Sequence, residues 1–136
     1  MYLLDTNVIS ELRRKKPHGA VVAWVKGTAN SQLHLSAVSL GEIQAGIELT
    51  REQNPENAEE LEAWVGRVVE IYNVLPMDGP TFRVWARLKH RVTDTVHEDA
   101  MIAATAIIHN LTVVTRNVRD FARFPVNILN PFEPST

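Results

Sequence analysis

Residues 1–7 read MYLLDTN, and the order of side chains in that stretch decides the fold. Tyr2, Leu3 and Leu4 form an apolar run too short for anything but a buried strand, and the run stops on an acid, Asp5, followed by Thr6 and Asn7. Thr and Asn are helix N-cap residue types, and Val8, Ile9 and Leu12 have helical spacing. The opening is therefore a strand that delivers a carboxylate to its C-terminal end, with a helix leaving at once. In open α/β sheets that edge is where ligands bind.

The rest of the chain alternates in the same way. Ala20, Val21, Trp24 and Val25 mark a short helix ending at Gly27, Leu33 to Leu35 a second strand, and Val38 to about Thr50 a helix capped by Ser36 or Ser39. That helix is apolar nearly all round and is expected to be buried. Pro55 opens a longer helix with Leu61, Trp64, Val65, Val68 and Tyr72 three and four apart. Val74 and Leu75 make a third strand, stopped by Pro76 and a turn at Asp78-Gly79-Pro80. A helix then carries Val84, Trp85 and Leu88 on one face and Arg83, Arg87 and Arg91 on another. Val92 to His97 reads as a loop, Glu98 to about His109 as an alanine-rich helix, and Leu111 to Val114 as the clearest strand. Val118 to Phe121 is a turn or short helix, and Val126 to Leu129 a last strand. This alternation predicts an α/β domain of three layers, a central, mostly parallel sheet of about five strands with helices on both faces. One domain is expected over residues 1–132, with Pro131 and Pro134 marking a loose tail at 133–136.

A chain of 136 residues without cysteine has room for a real core and excludes disulfides, thiolate zinc sites and a cysteine nucleophile. The longest apolar stretch, Ala100 to Ile108, is far below a membrane span, and Asp5 interrupts the place of a secretory signal, so a cytoplasmic protein with no membrane partner is expected. The net charge of -2 does not announce a nucleic-acid binder. The charge is unevenly placed, however: Glu52 to Glu62 are acidic, whereas Arg13 to Lys16, Arg83 to Arg91, and Arg116, Arg119 and Arg123 are basic. Basic stretches around one site would hold a polyanion locally, and as solvated faces they would do nothing.

Several acids fall where the pattern directs them inward. Asp5 is either a helix cap or a functional group. Glu42 shares a helical face with Val38, Ala45, Gly46 and Leu49, and its alternative role is the last member of a capping box with Ser39. An acid on a buried face is costly unless paired, which favours function. Asp99 lies in the first turn of its helix, where the macrodipole favours any acid, yet its face continues through Ile102, Ala103 and Ala106. Glu98 reads as surface. Asn117 and Asp120 follow the Leu111 to Val114 strand and reach the crevice of Asp5 if the two strands are parallel. Asp78 reads as a turn residue, and the five histidines, lacking paired ligand spacing, as surface or loop residues.

Three inward carboxylates at one edge make a physical demand. Two charges about 4 Å apart repel by roughly 4 kcal/mol at an effective dielectric near 20, so the set protonates in part unless a cation joins it. Oxygen ligands select a hard divalent ion, Mg²⁺ or Mn²⁺. Such ions bind phosphate oxygens, which points to metal-assisted hydrolysis of a phosphodiester.

The segments LLDTNVIS, SLGEIQAGI, EDAMIAATA and LTVVTRNVRDF, in this order over residues 2 to about 132, resemble the PIN-domain ribonucleases, specifically the VapC-type toxins of bacterial toxin-antitoxin pairs. The resemblance implies a Mg²⁺- or Mn²⁺-dependent endoribonuclease with metal-holding acids at Asp5, Glu42 and Asp99. The family's fourth polar position, often an acid, falls on Asn117, which adds no charge and leaves Asp120 as the candidate for a missing carboxylate. Thr6, Asn7 and Thr115 lie where family members use hydroxyl and amide groups to support the acids. Arg13, Arg14, Arg116 and Arg119 are the candidates for phosphate contacts with RNA. The resemblance also implies a homodimer and a small antitoxin whose N-terminal part binds operator DNA. Three rivals remain: a PIN-like protein that binds RNA or a partner without cutting, kept open by Asn117, a receiver-type signalling domain, and a haloacid-dehalogenase-like phosphatase. The receiver would want paired acids after the first strand and the phosphatase a second Asp at the place of Asn7.

Overall fold

A computed structural model describes residues 1–92 and 97–133. Five parallel strands form one sheet in the order β3-β2-β1-β4-β5: β1 (Tyr2–Leu4), β2 (Leu33–Ser36), β3 (Asn73–Leu75), β4 (Thr112–Val114) and β5 (Ile128–Leu129). The helices are α1 (Thr6–Leu12), α2 (Gly19–Lys26), α3 (Ala37–Gln53), α4 (Pro55–Ile71), α5 (Gly79–Arg91), α6 (His97–His109) and α7 (Val118–Phe121). The expected parallel α/β sheet of five strands is what the chain forms.

The opening stretch accounts for the layering. Strand β1 is central, and successive side chains of a strand point to opposite faces. Leu3 enters the core beneath α5 and α6 with Leu88, Ile102, Ala103, Val113 and Phe121. Leu4 enters the other core with Val8, Ile9, Val21, Leu35, Val68 and Val114. Both leucines are fully buried, and truncating either to alanine is expected to cost about 2–5 kcal/mol. Alanines 100, 103, 104 and 106 are buried on α6, where small side chains permit close approach to the sheet. Asn110, at φ 54°, adopts the left-handed conformation that ends this helix.

Topology then creates a crevice. From β1 the chain goes to β2 on one side, and it returns to β4 on the other, so the order reverses at β1. Leu4 is in register with Leu35 and with Val114, which sets Asp5 beside Ser36 and Thr115 at the C-terminal edge. That is the switch point at which open α/β sheets bind ligands.

Three expectations are corrected. Helix α3 is not buried: it packs through Ser39 and Ile47, with Leu40 and Ile43 partly covered, and leaves Gly41, Ala45, Gly46 and Leu49 outward. Small residues made it look apolar all round without requiring cover. Asp78 is the N-cap of α5, accepting from Thr81 N–H at 3.1 Å, instead of a turn residue. His34 lies within β2 with both ring nitrogens buried and unpartnered, and burial lowers its pKa. Of the loop expected at Val92 to His97, His97 opens α6, and residues 93–96 lie outside the described residues, as do 134–136. Pro131 and Phe132 are buried.

Candidate active site

Asp5 is buried at the end of β1. It occupies the N-cap position of α1, yet its carboxylate accepts from the adjacent Thr6 N–H at 2.8 Å rather than from the second or third helical amide that a cap normally satisfies. Its other oxygen accepts from the Thr115 hydroxyl at 2.7 Å and from Asn7 Nδ2 at 3.1 Å. Thr115 is oriented in turn by the Asn117 N–H, which donates to its Oγ1 at 2.9 Å, and Asn7 Oδ1 accepts from Arg116 N–H at 3.3 Å. Strands β1 and β4 are thus tied across the crevice through one carboxylate.

Glu42 arrives from α3. Thr6 Oγ1 lies 2.9 Å from Glu42 Oε1 and 2.8 Å from Ser39 Oγ. A hydroxyl has one hydrogen, so Thr6 donates to the carboxylate and accepts from Ser39. The capping box is not formed, because Ser36 is the N-cap and Glu42 is spent on Thr6. Glu42 is exposed overall, and its buried-face reading is corrected. Its carboxylate lines a cleft of about 160 Å³ with Thr6, Ser10, Arg13, Ile43 and Gly46.

Electrostatics joins the remaining acids to these two. Burial pushes the Asp5 carboxyl upward against the opposing Thr115 hydroxyl and Thr6 amide, with Asp120 adding repulsion. Loss of water raises Glu42 as well, with the Thr6 hydroxyl opposing and Asp5 and Glu98 adding. Asp99, at the start of α6, is pushed up to about 6, first by loss of water and then by Asp5, Asp120, Glu42 and Glu98. Glu98 is exposed, as expected, but its charge is felt at the site. Among the described residues Arg14 and Arg51 form ion pairs, and neither pairs with Asp5, Glu42 or Asp99.

Such an oxygen-rich, cation-poor set suits a hard divalent ion. Among the described residues no group of three or more His, Cys, Asp or Glu side chains is gathered so as to hold a metal by itself.

The other candidate residues are distributed around this centre. Asn117 is exposed at the start of α7 and its side chain makes no cap bond, while Asp120 is half-buried on α7. Arg13 lines the Glu42 cleft, Arg14 pairs with Glu11 at 3.3 Å, Arg119 is exposed, and the Arg116 guanidinium lies over the Phe132 ring. A larger hollow of about 720 Å³, lined by residues including Val84, Arg87, Leu88, Arg91 and Ile107, has no carboxylate, so volume does not mark the site. Sequence reasoning missed the hydroxyl partnership of Ser39, buried Glu11, and Phe132. Ser39 was accessible, since it lies three residues before Glu42 and so on the same helical face. For Phe132 there was no local signal.

Residues 2–127 match the PIN domain model. A "VapC ribonuclease Y4jK" of Sinorhizobium fredii is 36% identical over 146 residues, covering 99% of this chain and 100% of the relative. "Toxin FitB" of Neisseria gonorrhoeae is 34% identical over 140 residues, covering 97% and 99%. The crystal structure of FitAcB from the same organism superposes with a TM-score of 0.90 at 32% identity, covering 98% of this chain and 99% of that one. The chain belongs to the PIN-domain family, within its VapC-type branch. Among the described residues no helix is long and apolar enough to cross a membrane.

Proposed function

We propose that the protein is a Mg²⁺- or Mn²⁺-dependent endoribonuclease acting as the toxin of a toxin-antitoxin pair. The observation that carries this reading is the set of carboxylates at the β1/β4 switch point, raised by burial and by one another. Asp5, Glu42 and Asp99 would hold the ion, with Asp120 adding charge and Asn117 a neutral amide beside them. When bound, the ion supplies the Lewis acidity that makes water a nucleophile near neutral pH and offsets charge at the phosphate.

The chain's own groups do the positioning. Thr115, Asn7 and the Thr6 amide fix the Asp5 oxygens, and the Thr6 hydroxyl, backed by Ser39, fixes Glu42. Asp99 accepts a proton near pH 6, so it is charged and able to hold a cation above that pH. Arg13, Arg14, Arg116 and Arg119 contact RNA phosphates.

Relatives named ribonuclease and toxin support the activity, and a FitAB structure described as bound to a DNA fragment, 31% identical to this chain, supports a partner antitoxin that binds operator DNA. A cytoplasmic homodimer is the corresponding assembly, and the outward Ala45, Gly46 and Leu49 of α3 offer it an apolar surface. The test is cleavage of total cellular RNA by purified, partner-free protein with Mg²⁺ or Mn²⁺ against EDTA, alongside Asp5→Asn. Discrete fragments that require both metal and Asp5 are expected. Equal cutting by a folded Asp5→Asn protein would defeat the site assignment. Asn117 in place of an acid favours a second reading, RNA binding without cleavage, which retention of RNA with no cutting under any metal would support.

A further inference from the structure

The C-terminal end of the described chain contributes to the acid edge through an edge-to-face aromatic pair capped by an arginine. Phe132 is buried, and its ring meets the His18 ring at a centroid distance of 5.3 Å and an interplanar angle of 65°. The guanidinium carbon of Arg116 lies over the same ring, 4.5 Å from its centroid. Each member is held from behind. Asn130 Oδ1 accepts from Phe132 N–H at 3.0 Å. The buried Glu11 carboxylate accepts from His18 N–H at 3.0 Å and from Arg14 Nη1 at 3.3 Å, and the His18 amide is the largest cause of its lowered pKa.

Arg116 follows Thr115, the residue whose hydroxyl donates to Asp5, and its own N–H donates to Asn7. Three segments therefore converge on one guanidinium: the loop after α1, the end of β4, and the stretch after β5. Among the described residues no carboxylate pairs with it. A cation attracted to a ring face has not spent its N–H donors on a carboxylate, and the guanidinium fork matches two oxygens of a phosphodiester. Fixing the side chain in advance removes rotamer freedom that a free arginine would lose on binding.

We infer that Arg116 grips an RNA phosphodiester at the acid edge and that Phe132, braced by His18, is its positioning residue. This rests on the ribonuclease reading and adds to it a role for residues outside the acid motifs. The stack does for Arg116 what Thr115 and Asn7 do for Asp5.

The test is steady-state cleavage of RNA by the full chain with Mg²⁺, across a range of salt. Arg116→Ala is expected to raise KM about tenfold with kcat within about twofold, and to lower the salt dependence of binding by about one ion. Phe132→Leu keeps apolar bulk and the arginine charge but removes the ring face, and is expected to raise KM several-fold. Phe132→Tyr restores it, and the Arg116→Ala/Phe132→Leu double variant is no worse than Arg116→Ala. A merely structural role for Phe132 would instead add to the Arg116 effect. An unchanged KM in a folded Arg116→Ala protein would overturn the inference. If wild type cuts no RNA, the ribonuclease reading itself fails, and if a folded Asp5→Asn protein cuts as wild type does, the assignment of the acid site fails. If wild type needs metal and Asp5 but ignores Arg116, only the stack fails.

Discussion

Two regions of this molecule collect acids, and they treat them in opposite ways. On the α3–α4 hairpin, Arg51 takes up three glutamates: its Nη1 lies 2.9 Å from Glu59, its Nη2 2.6 Å from Glu62 and its Nε 3.3 Å from Glu48. At the β1/β4 edge, Asp5 and Glu42 are held by hydroxyls and amides, Asp5, Asp120 and Glu42 add repulsion at Asp99, and among the described residues none of Asp5, Glu42 and Asp99 is in an ion pair. In the first cluster the chain supplies its own cation, and each of the three acids pairs with it. The second holds its acids without a resident cation among the described residues; burial first, and their mutual repulsion after it, raises their pKa values, a demand that the proposed divalent ion would meet. Acidity alone does not distinguish a functional cluster from a structural one. The presence of a resident cation does.

That contrast can be broken most severely at Asp5. Lewis-acid stabilisation is worth several kcal/mol and each ~1.4 kcal/mol is tenfold in rate, so Asp5→Asn is expected to lower RNA cleavage on the order of a thousandfold. Glu62→Gln, in the Arg51-paired cluster, leaves cleavage rates unchanged in the same assay. Next in size is pH. Asp99 must lose its proton to hold a cation, so cleavage at limiting metal is expected to rise as pH passes upward through about 6, by up to roughly tenfold per unit below that point. A flat profile from pH 5 to 8 would remove Asp99 from the site.

Stability should move the other way. A carboxyl whose folded pKa is raised contributes most below its unfolded value and loses that contribution as pH rises through the folded value. Asp99→Asn is therefore expected to stabilise the metal-free protein above pH 7 by about 1 kcal/mol, discounted for its half-exposed carboxylate, and to have no such effect near pH 3. Thermal melts of the two proteins at both pH values measure this. The smallest effect belongs to Arg51→Ala, which should lower the melting temperature only slightly, and less again in high salt, because its partners are exposed.

The sheet and its switch point were legible because they rest on short-range rules. Leu3 and Leu4 alternate between two cores, and the acid after them must emerge at the strand's C-terminal edge. Asp99 was legible for a similar reason, since Ile102, Ala103 and Ala106 fix its helical phase. The face of Glu42 is not the buried one that its neighbours suggest. Ala45, Gly46 and Leu49 suggested a buried face, whereas α3 leaves them outward and Glu42 reaches the cleft through Thr6. Periodicity detects which residues share a face, but small residues leave open whether that face is covered. The Phe132, Arg116 and His18 stack was beyond sequence reasoning, because its members lie far apart in the chain and meet only after the sheet has formed. His34 in β2, whose ring nitrogens are buried with no hydrogen-bond partner among the described residues, shows the same limit.

The central claim, that the β1/β4 acids hold a divalent cation while the α3–α4 acids do not, is tested most directly by Mn²⁺ binding to the full, partner-free chain, followed by the loss of free-ion signal in electron paramagnetic resonance at pH 7.5. Saturable binding in wild type, lost in a folded Asp5→Asn protein and retained in Glu62→Gln, is the predicted result. Mn²⁺ binding of equal strength in wild type and Asp5→Asn would contradict it.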